Sequence, residues 1–284
     1  MKSFKREELN KPNLNLIYLI EKQIKNDVDV MKILAPIYHF YERRLWKEIK
    51  EGPKPHHVGV ILDGNRRYAR KKGLDEKEGH SFGALKVEEL LKWCLKLDIK
   101  IITLYVFSTE NFNRAPDEVS KIMELLVQKL IKIYNEPMII NNKVRVKIIG
   151  RREKLPEKIR NLIEDVEEKT KNYNNHILNV AVSYGGRAEI VDAVKKIAAK
   201  VQNNELMIND INEKTIDTHL YTEGIPDPDL IIRTSGEERL SGFLLWQSAY
   251  SELYFTDIYW PEFRKIDLWR AIRIYQQRER RYGK

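Results

Sequence analysis

Hydrophobic residues follow two alternating patterns along this chain. Runs of consecutive apolar residues, typical of strands buried on both faces, alternate with segments in which apolar residues recur every three or four positions, as in helices. The runs predict strands at residues 58–62, 101–107, 144–149, 177–183, 230–232 and 251–255, and the periodic segments predict helices at 82–97, 119–134, 159–173, 188–201 and 268–281. Because the two kinds of element alternate, we expect a single α/β domain with a mainly parallel sheet of roughly six strands flanked by helices.

A further helical segment precedes the first predicted strand. Residues 14–49 place charges among leucine, isoleucine, tyrosine and tryptophan, and the Gly52-Pro53 pair then interrupts this pattern. We therefore divide the chain into an N-terminal helical arm, residues 1–52, and a main domain, residues 53–284.

Composition excludes several classes of protein. Of the 284 residues, 42% are hydrophobic and 33% are charged, which is a folded rather than a disordered balance. No run approaches the roughly 18 consecutive apolar residues of a membrane span, and the N-terminal residues lack the apolar core of a signal peptide. The one cysteine, Cys94, lies in an apolar helical pattern. These features predict a cytoplasmic protein.

The formal net charge of +9 favours an anionic partner. Nucleic acid, an anionic membrane face and an anionic small molecule would each use such a charge. The 51 basic residues are mixed with 42 acidic ones, and the sequence carries no nucleic-acid-binding motif. We therefore predict no nucleic-acid partner.

The turn after the first predicted strand carries a clear chemical signal. That strand ends at Asp63, and Gly64-Asn65 joins it to a helix that opens with Arg66-Arg67-Tyr68. The backbone N–H groups of such a turn and the positive end of the helix dipole favour an anion. The Asp63 carboxylate suits a hard divalent cation, and the Arg67 guanidinium suits phosphate oxygens. The turn therefore predicts a site for a metal-bound diphosphate.

Residues 56–73 resemble the first signature motif of the cis-prenyltransferases, the family of undecaprenyl and dehydrodolichyl diphosphate synthases. Later family motifs are matched in the same order by residues 107–114 (FSTENFNR), 183–190 (SYGGRAEI) and 229–252 (DLIIRTSGEERLSGFLLWQSAYSE). His80 matches a histidine that the family places near the diphosphates, and Arg281 with Gly283 resembles its closing R-x-G motif. The resemblance covers nearly the whole chain, from about residue 51 to residue 283.

This resemblance implies a transferase of prenyl groups whose catalytic domain is residues 53–284. Such an enzyme condenses isopentenyl diphosphate repeatedly onto an allylic diphosphate and makes a long cis-polyprenyl diphosphate for use as a glycosyl carrier lipid. Asp63 would bind Mg²⁺, which stabilises the leaving diphosphate. Glu252 would share in metal or diphosphate binding across the interface of a homodimer.

The resemblance also assigns roles to residues of all the matched segments. Asp63 and Asn111 are the predicted catalytic residues. Asn111, with Ser108 and His80, is the network expected to handle the proton lost after condensation, and a diphosphate oxygen is the alternative base. The expected substrate-binding residues are Gly64, Asn65, Arg66, Arg67, Tyr68, His80, Ser108, Thr109, Glu110, Phe112, Arg114, Arg233, Arg239, Ser241, Arg281 and Gly283, with Arg233, Arg239 and Ser241 suited to isopentenyl diphosphate.

The lipid product has consequences for the rest of the chain. A growing polyprenyl chain needs an apolar tunnel, for which the helices predicted at 82–97 and 119–134 supply apolar side chains. An enzyme that makes such a lipid is expected to contact the membrane peripherally. The aromatic residues of the N-terminal arm would either make that contact or pack on the domain; they are Tyr38, Phe40, Tyr41 and Trp46.

Residue 76 departs from the family pattern. Members often carry an arginine between the first motif and the Gly79-His80 pair, where this chain has Glu76 followed by Lys77. Either Lys77 substitutes for that arginine, or the allylic diphosphate is held with one arginine fewer. The allylic starter is farnesyl or geranylgeranyl diphosphate. The long N-terminal arm is similar to that of archaeal or eukaryotic members, and the likeness to archaeal ones favours geranylgeranyl diphosphate. The motifs leave product length open.

Other classes of protein explain the sequence less well. Trans-prenyltransferases bind magnesium through paired D-D-x-x-D motifs, which this sequence lacks. Non-catalytic accessory subunits of the cis family lose residues of the first motif, whereas Asp63, Asn65 and Arg67 are all present here. An active homodimer is therefore the favoured interpretation.

Overall fold

The structure is a computed structural model, and it describes residues 39–278. The chain divides into two units, residues 1–51 and 52–284. In the first unit, residues 39–49 form helix α1, in which Phe40 is exposed and Tyr41 and Trp46 are half-buried. Residues 14–38 of the predicted arm, with Tyr38, lie outside the described residues. The domain boundary after residue 52 and the membrane contact of the arm stay predictions.

The second unit contains a sheet of six strands, and every pairing between neighbours is parallel. The strand order is β3-β4-β2-β1-β5-β6. The strands are β1 (His57–Ile61), β2 (Ile101–Ser108), β3 (Val144–Ile149), β4 (His176–Tyr184), β5 (Leu230–Arg233) and β6 (Glu252–Phe255). The predicted fold class is confirmed, because continuous apolar runs such as β1 are buried along their whole length, as strands covered by helices on both faces must be.

Helices connect the strands and cover the sheet. They are α2 (Asn65–Lys71), α3 (Glu76–Lys96), α4 (Pro116–Asn135), α5 (Pro137–Asn141), α6 (Glu157–Thr170), α7 (Gly186–Gln202), α8 (Glu213–Asp217) and α9 (Lys265–Gln277). Their ends differ from the predicted ones for local reasons. Helix α3 begins at Glu76 rather than residue 82 because the Asp75 side chain accepts a hydrogen bond from the Lys77 backbone. Helix α4 begins at Pro116, since proline is favoured in the first turn.

The register of the sheet determines where the predicted site lies. Ile61, at the end of β1, is level with Tyr105 of β2 and Arg233 of β5. Asp63 and Ser108 therefore follow at the same edge of the sheet as Arg233. This is the carboxyl edge, where ligands bind in open parallel sheets.

A buried polar network crosses the opposite half of the sheet. His57 Nε2 lies 2.7 Å from Thr103 Oγ1, and Asn179 Nδ2 donates to the same hydroxyl at 3.0 Å. The other ring nitrogen, Nδ1, lies 2.7 Å from the Pro226 carbonyl oxygen. Burial lowers the pKa of His57 to about 4. The network thus links β1, β2 and β4 through a neutral histidine.

Candidate active site

Close packing of α2 against α3 depends on glycines. Gly64 has a φ of 98°, in the left-handed region, and turns the chain from β1 into α2. A Cβ atom at Gly79 would lie 2.1 Å from the Asn65 carbonyl oxygen, and one at Gly83 would lie 2.1 Å from Asn65 Oδ1. Only glycine therefore allows α3 to approach so closely, and this approach brings His80 beside the first motif.

A polar pocket of about 460 Å³ lies at the carboxyl edge of the sheet. Five arginines and a single carboxylate, that of Asp63, are among its described lining residues, so the pocket favours an anion. The predicted site residues that line it are Asp63, Gly64, Asn65, Arg66, Arg67, His80, Ser108, Asn111, Arg114, Arg233 and Ser241. Two further polar residues, Arg70 and Tyr105, line the pocket and were not predicted from the sequence.

The Asp63 side chain is held by groups from the turn after β1 and from the end of β5. Its Oδ1 atom accepts a hydrogen bond from the Gly64 backbone at 2.7 Å, and its Oδ2 atom accepts one from Arg233 Nη2 at 2.8 Å. Arg67 Nη2 lies 3.5 Å from Oδ1. The Thr234 hydroxyl donates to the Asp63 carbonyl oxygen at 2.7 Å, which fixes the backbone at the end of β1. The carboxylate is therefore positioned before any ligand binds.

Arg233 connects Asp63 to the loop that follows β5. Its Nη1 atom donates to Ser241 Oγ at 2.8 Å and also to the carbonyl oxygen of Arg239. Ser241 has a φ of 48°, and the Tyr105 hydroxyl donates to its carbonyl oxygen at 3.3 Å. The Arg239 guanidinium is exposed and pairs with Glu237, so in this structure Arg239 contributes a carbonyl group rather than its charge.

The opposite wall of the pocket is organised by Glu118, in the first turn of α4. Its Oε1 atom accepts a hydrogen bond from Arg114 Nη1 at 2.9 Å and lies 3.1 Å from His80 Nε2. Its Oε2 atom lies 3.6 Å from Arg66 Nη1. Burial lowers the pKa of His80, although the Glu118 hydrogen bond opposes this effect. Sequence reasoning missed Glu118, because an acid in the first turn of a helix is common for dipole reasons alone.

Asn111 and its neighbours form a short 3₁₀ turn after β2. Asn111 Oδ1 accepts a hydrogen bond from the Ser108 backbone at 2.9 Å, so Asn111, one of the two predicted catalytic residues, also caps this turn. Thr109 Oγ1 donates to Glu110 at 3.1 Å, and neither residue lines the pocket. Phe112 packs edge-on against Phe107, with ring centroids 4.9 Å apart. Thr109, Glu110 and Phe112 do not line the polar pocket, and their substrate contacts stay predictions.

Tyr68 and Glu252 also lie outside the pocket. The Tyr68 ring packs edge-on against Phe82, with centroids 5.6 Å apart, and its substrate contact stays a prediction. Glu252 begins β6, level with Leu230 at the amino end of β5, and it pairs with Arg278. Asp63 lies about 16 Å farther along the strand direction, at roughly 3.3 Å per residue.

Glu252 and Asp63 of one chain therefore cannot share a metal ion. The role of Glu252 across a dimer interface stays a prediction. Arg281 and Gly283 lie outside the described residues.

Asp63 supplies the single carboxylate among the described residues that line the pocket, so it is the candidate ligand for a magnesium ion there. Residues 39–278 contain no group of three or more histidine, cysteine, aspartate or glutamate side chains arranged to hold a metal. Magnesium is commonly held by one or two carboxylates together with substrate phosphates. Asp63 fits that second arrangement, in which the diphosphate supplies the remaining oxygens.

An apolar cavity of about 290 Å³ continues from the polar pocket. It lies between α3 and α4, against β2, β3 and β4, as expected for the helices predicted at 82–97 and 119–134. Most of its wall is aliphatic, with lining residues that include Val87, Leu91, Leu104, Ile122, Leu126, Leu130, Ile148, Leu178 and Val180. Leu62, Asn65, His80 and Val106 line both the cavity and the polar pocket.

None of the helices within residues 39–278 is long and apolar enough to cross a membrane.

Known proteins resemble this chain over most of its length. Residues 61–283 match the family model described as "Putative undecaprenyl diphosphate synthase". A tritrans,polycis-undecaprenyl-diphosphate synthase (geranylgeranyl-diphosphate specific) of Thermoplasma volcanium is 53% identical over 244 residues, which cover 86% of this chain and 95% of that relative. An isoprenyl transferase of Thermus thermophilus is 51% identical over 262 residues, which cover 90% of this chain and all of the relative.

A solved structure shows the same fold. The crystal structure of lavandulyl diphosphate synthase from Lavandula x intermedia, in complex with dimethylallyl diphosphate, superposes with a TM-score of 0.78 at 36% identity. The match covers 81% of this chain and 99% of that one. Given the fold, the arginine-rich pocket and these matches, the chain belongs to the undecaprenyl diphosphate synthase family of cis-prenyltransferases and is a transferase of prenyl groups.

Proposed function

We propose that this enzyme condenses isopentenyl diphosphate repeatedly onto geranylgeranyl diphosphate and makes a long cis-polyprenyl diphosphate. The observation that carries the proposal is the junction between the two cavities, where an arginine-lined pocket opens into an aliphatic one. In a ligand with a diphosphate head and an isoprenoid tail, the head would suit the arginine-lined pocket and the tail would suit the aliphatic cavity. The name of the Thermoplasma relative supports geranylgeranyl rather than farnesyl diphosphate as the starter.

Two groups of polar side chains would hold the two diphosphates. His80, which lines both cavities, is linked through Glu118 to Arg114 and Arg66, and these residues together with Arg67 suit the allylic substrate. Arg233 and Ser241 lie beyond Asp63 and suit isopentenyl diphosphate. Holding both substrates in this way brings the isopentenyl alkene to the allylic carbon.

Each round of the reaction breaks one bond and forms another. The bond between the allylic carbon and its diphosphate oxygen breaks, the isopentenyl alkene bonds to that carbon, and one proton leaves. Mg²⁺ bound by Asp63 and diphosphate oxygens would stabilise the charge on the leaving diphosphate. Arg67, which lies beside Asp63, would contribute positive charge at the same place.

Removal of the proton is assigned to the end of the pocket formed by Ser108, Asn111 and His80. With Glu118 as acceptor, the hydrogen on neutral His80 belongs on Nε2, which leaves Nδ1 as a base. The lowered pKa of His80 keeps the ring neutral at pH 7. A diphosphate oxygen remains the alternative base.

We assign the remaining predicted residues to a homodimer. Glu252, Arg281 and Gly283 would act at the partner subunit's isopentenyl diphosphate site, since the position of Glu252 excludes a contact with Asp63 of its own chain.

An activity assay tests the proposal. Purified protein is mixed with labelled isopentenyl diphosphate, Mg²⁺ and either geranylgeranyl or farnesyl diphosphate, and the products are separated by chain length. We expect a ladder of long products, with geranylgeranyl diphosphate as the better starter, and no products after EDTA treatment. Folded protein that incorporates no isopentenyl diphosphate with either starter would contradict the proposal and favour an accessory subunit.

A further inference from the structure

We propose that Arg70 is an additional binding residue for the allylic diphosphate and that Glu76 holds it in position. Glu76 occupies the place at which family members often carry an arginine, so this chain needs another source of that charge or loses it. The inference rests on the proposed function, because it names a residue of the same site.

Glu76 lies between two arginines of α2. Its Oε1 atom is 2.7 Å from Arg70 Nε, and its Oε2 atom is 2.7 Å from Arg66 Nε. In both arginines the guanidinium nitrogen nearest the carboxylate is Nε. A guanidinium held through Nε can still offer its Nη groups to an oxygen-rich anion.

Helix geometry places both arginines at the polar pocket. Arg66 and Arg70 are four residues apart, so they share one face of α2, and both line the pocket. Lys77, the substitute considered from the sequence, forms an ion pair with Asp117 and does not line the pocket. The Asp117 hydrogen bond also raises the pKa of Lys77. The structure thus favours Arg70 over Lys77 as the replacement.

The Glu76 bridge extends an ion-pair network along one wall of the pocket. Arg70 contacts Glu76, Glu76 contacts Arg66, and Arg66 lies 3.6 Å from Glu118, which binds Arg114. The network joins α2, α3, α4 and the loop after β2. Side chains fixed in this way lose less conformational entropy when a diphosphate binds.

A charge-matched pair of variants tests this role. Arg70→Gln removes the guanidinium, and the control Lys71→Gln removes the next charge on α2, which pairs with Glu262 and lies over the Tyr259 ring, outside the pocket. The two side chains are similarly exposed, 58% and 57%. We expect Arg70→Gln to raise the KM for geranylgeranyl diphosphate about tenfold, the effect of one lost charge-assisted hydrogen bond, with the KM for isopentenyl diphosphate unchanged. Lys71→Gln should change neither constant.

Two further variants separate the role of Arg70 from that of Glu76, which holds it in position. Glu76→Gln keeps the size of residue 76 but weakens its hold on Arg70, so the allylic KM should rise by only about threefold. In the background of Arg70→Gln, Glu76→Arg restores an arginine at the family position and should recover most of the lost affinity. Failure of that double variant to recover affinity, with unchanged thermal stability, would count against a shared diphosphate role.

Direct binding separates this inference from the proposed function. Calorimetric titration of wild-type protein and Arg70→Gln with geranylgeranyl diphosphate, without isopentenyl diphosphate, needs no turnover. About tenfold weaker binding by Arg70→Gln alone supports the inference even if no product forms. Equal binding by wild type, Arg70→Gln and Lys71→Gln overturns it, whatever the activity assay gives.

Discussion

Asp63 Oδ2 lies 2.8 Å from Arg233 Nη2, so a carboxylate after β1 meets a guanidinium at the end of β5. Arg233 is 3% exposed and also donates to Ser241. The contact therefore joins the proposed metal ligand to the proposed isopentenyl diphosphate site. Two adjacent parallel strands that end at the same edge of the sheet are sufficient to create this relationship.

Asp63→Asn should abolish most of the activity while leaving the fold intact. The amide keeps the shape of the side chain but removes the charge proposed to hold Mg²⁺, so we expect kcat to fall by about 100-fold or more. Steady-state kinetics with thermal melting measures both effects. A near wild-type kcat for the folded variant would exclude Asp63 as the metal ligand.

Glu118→Gln should weaken allylic diphosphate binding. The substitution removes the carboxylate shared by His80, Arg114 and Arg66, and we expect the KM for geranylgeranyl diphosphate to rise about tenfold. Glu124→Gln is the control, because Glu124 lies on the same helix and pairs with exposed Lys121. Equal effects of both variants would indicate a general loss of charge on α4 rather than a role at the pocket.

Glu88 is predicted to influence product length. Lys129 and Lys132 of α4 lie 2.9 and 2.7 Å from its two carboxylate oxygens, and all three residues line the apolar cavity. The cluster lies about 12 Å beyond His80 along α3 at 1.5 Å per residue. A polyprenyl chain that extends past this cluster must displace water from its charged groups, which costs free energy.

We therefore expect Glu88→Leu to shift the product distribution by about one or two isoprene units towards longer chains, because it replaces a charge with an apolar wall. Mass spectrometry of the products measures this shift. Glu89→Leu, at an exposed position paired with Lys86 on the same helix, should give the wild-type distribution. Identical distributions from Glu88→Leu and wild type would show that the cluster does not limit the chain.

The buried His57 predicts acid sensitivity of the fold. An unfolded histidine titrates near pH 6.5, whereas burial lowers the pKa of His57 to about 4. Between these values the unfolded state binds a proton that the native state excludes, so the free energy of unfolding falls as the pH drops from about 6.5 to 4. At most, the pKa shift of His57 lowers the free energy of unfolding by about 3 kcal/mol.

Urea unfolding at pH 7 and pH 4.5 measures this effect against His57→Gln, in which an uncharged side chain occupies the same site. Wild type should lose more stability than the variant on acidification. An equal loss in both proteins would mean that carboxylates, not His57, cause the acid sensitivity.

Much of the fold could be predicted from sequence because buried parallel strands are continuous apolar runs. The strands at 144–149 and 251–255 were placed to within a residue. Asp63 and Arg233, which the matched motifs assign to the substrates of one reaction, lie together because parallel topology fixes one common edge for the strand ends. Helix starts were less accurate, because caps such as Asp75 add turns without apolar residues.

Residues within matched motifs could not be sorted into binding and packing roles from sequence alone. Tyr68 and Phe112 lie inside motifs but pack against other aromatic rings. Glu118 and Arg70 lie in helical first turns or charged runs, where acidic and basic residues are common. Only the packing of α2, α3 and α4 shows that Arg70 lines the pocket and that Glu118 pairs with the lining residues Arg66 and Arg114.

A crystal structure with Mg²⁺ and a non-reactive thiolo analogue of geranylgeranyl diphosphate would show both where the diphosphate binds and which way the isoprenoid tail runs. We expect the diphosphate among Arg66, Arg67 and Arg114, with the tail running past Val106 into the cavity between α3 and α4. A tail that leaves the polar pocket in another direction, or a diphosphate bound elsewhere on the chain, would contradict this expectation.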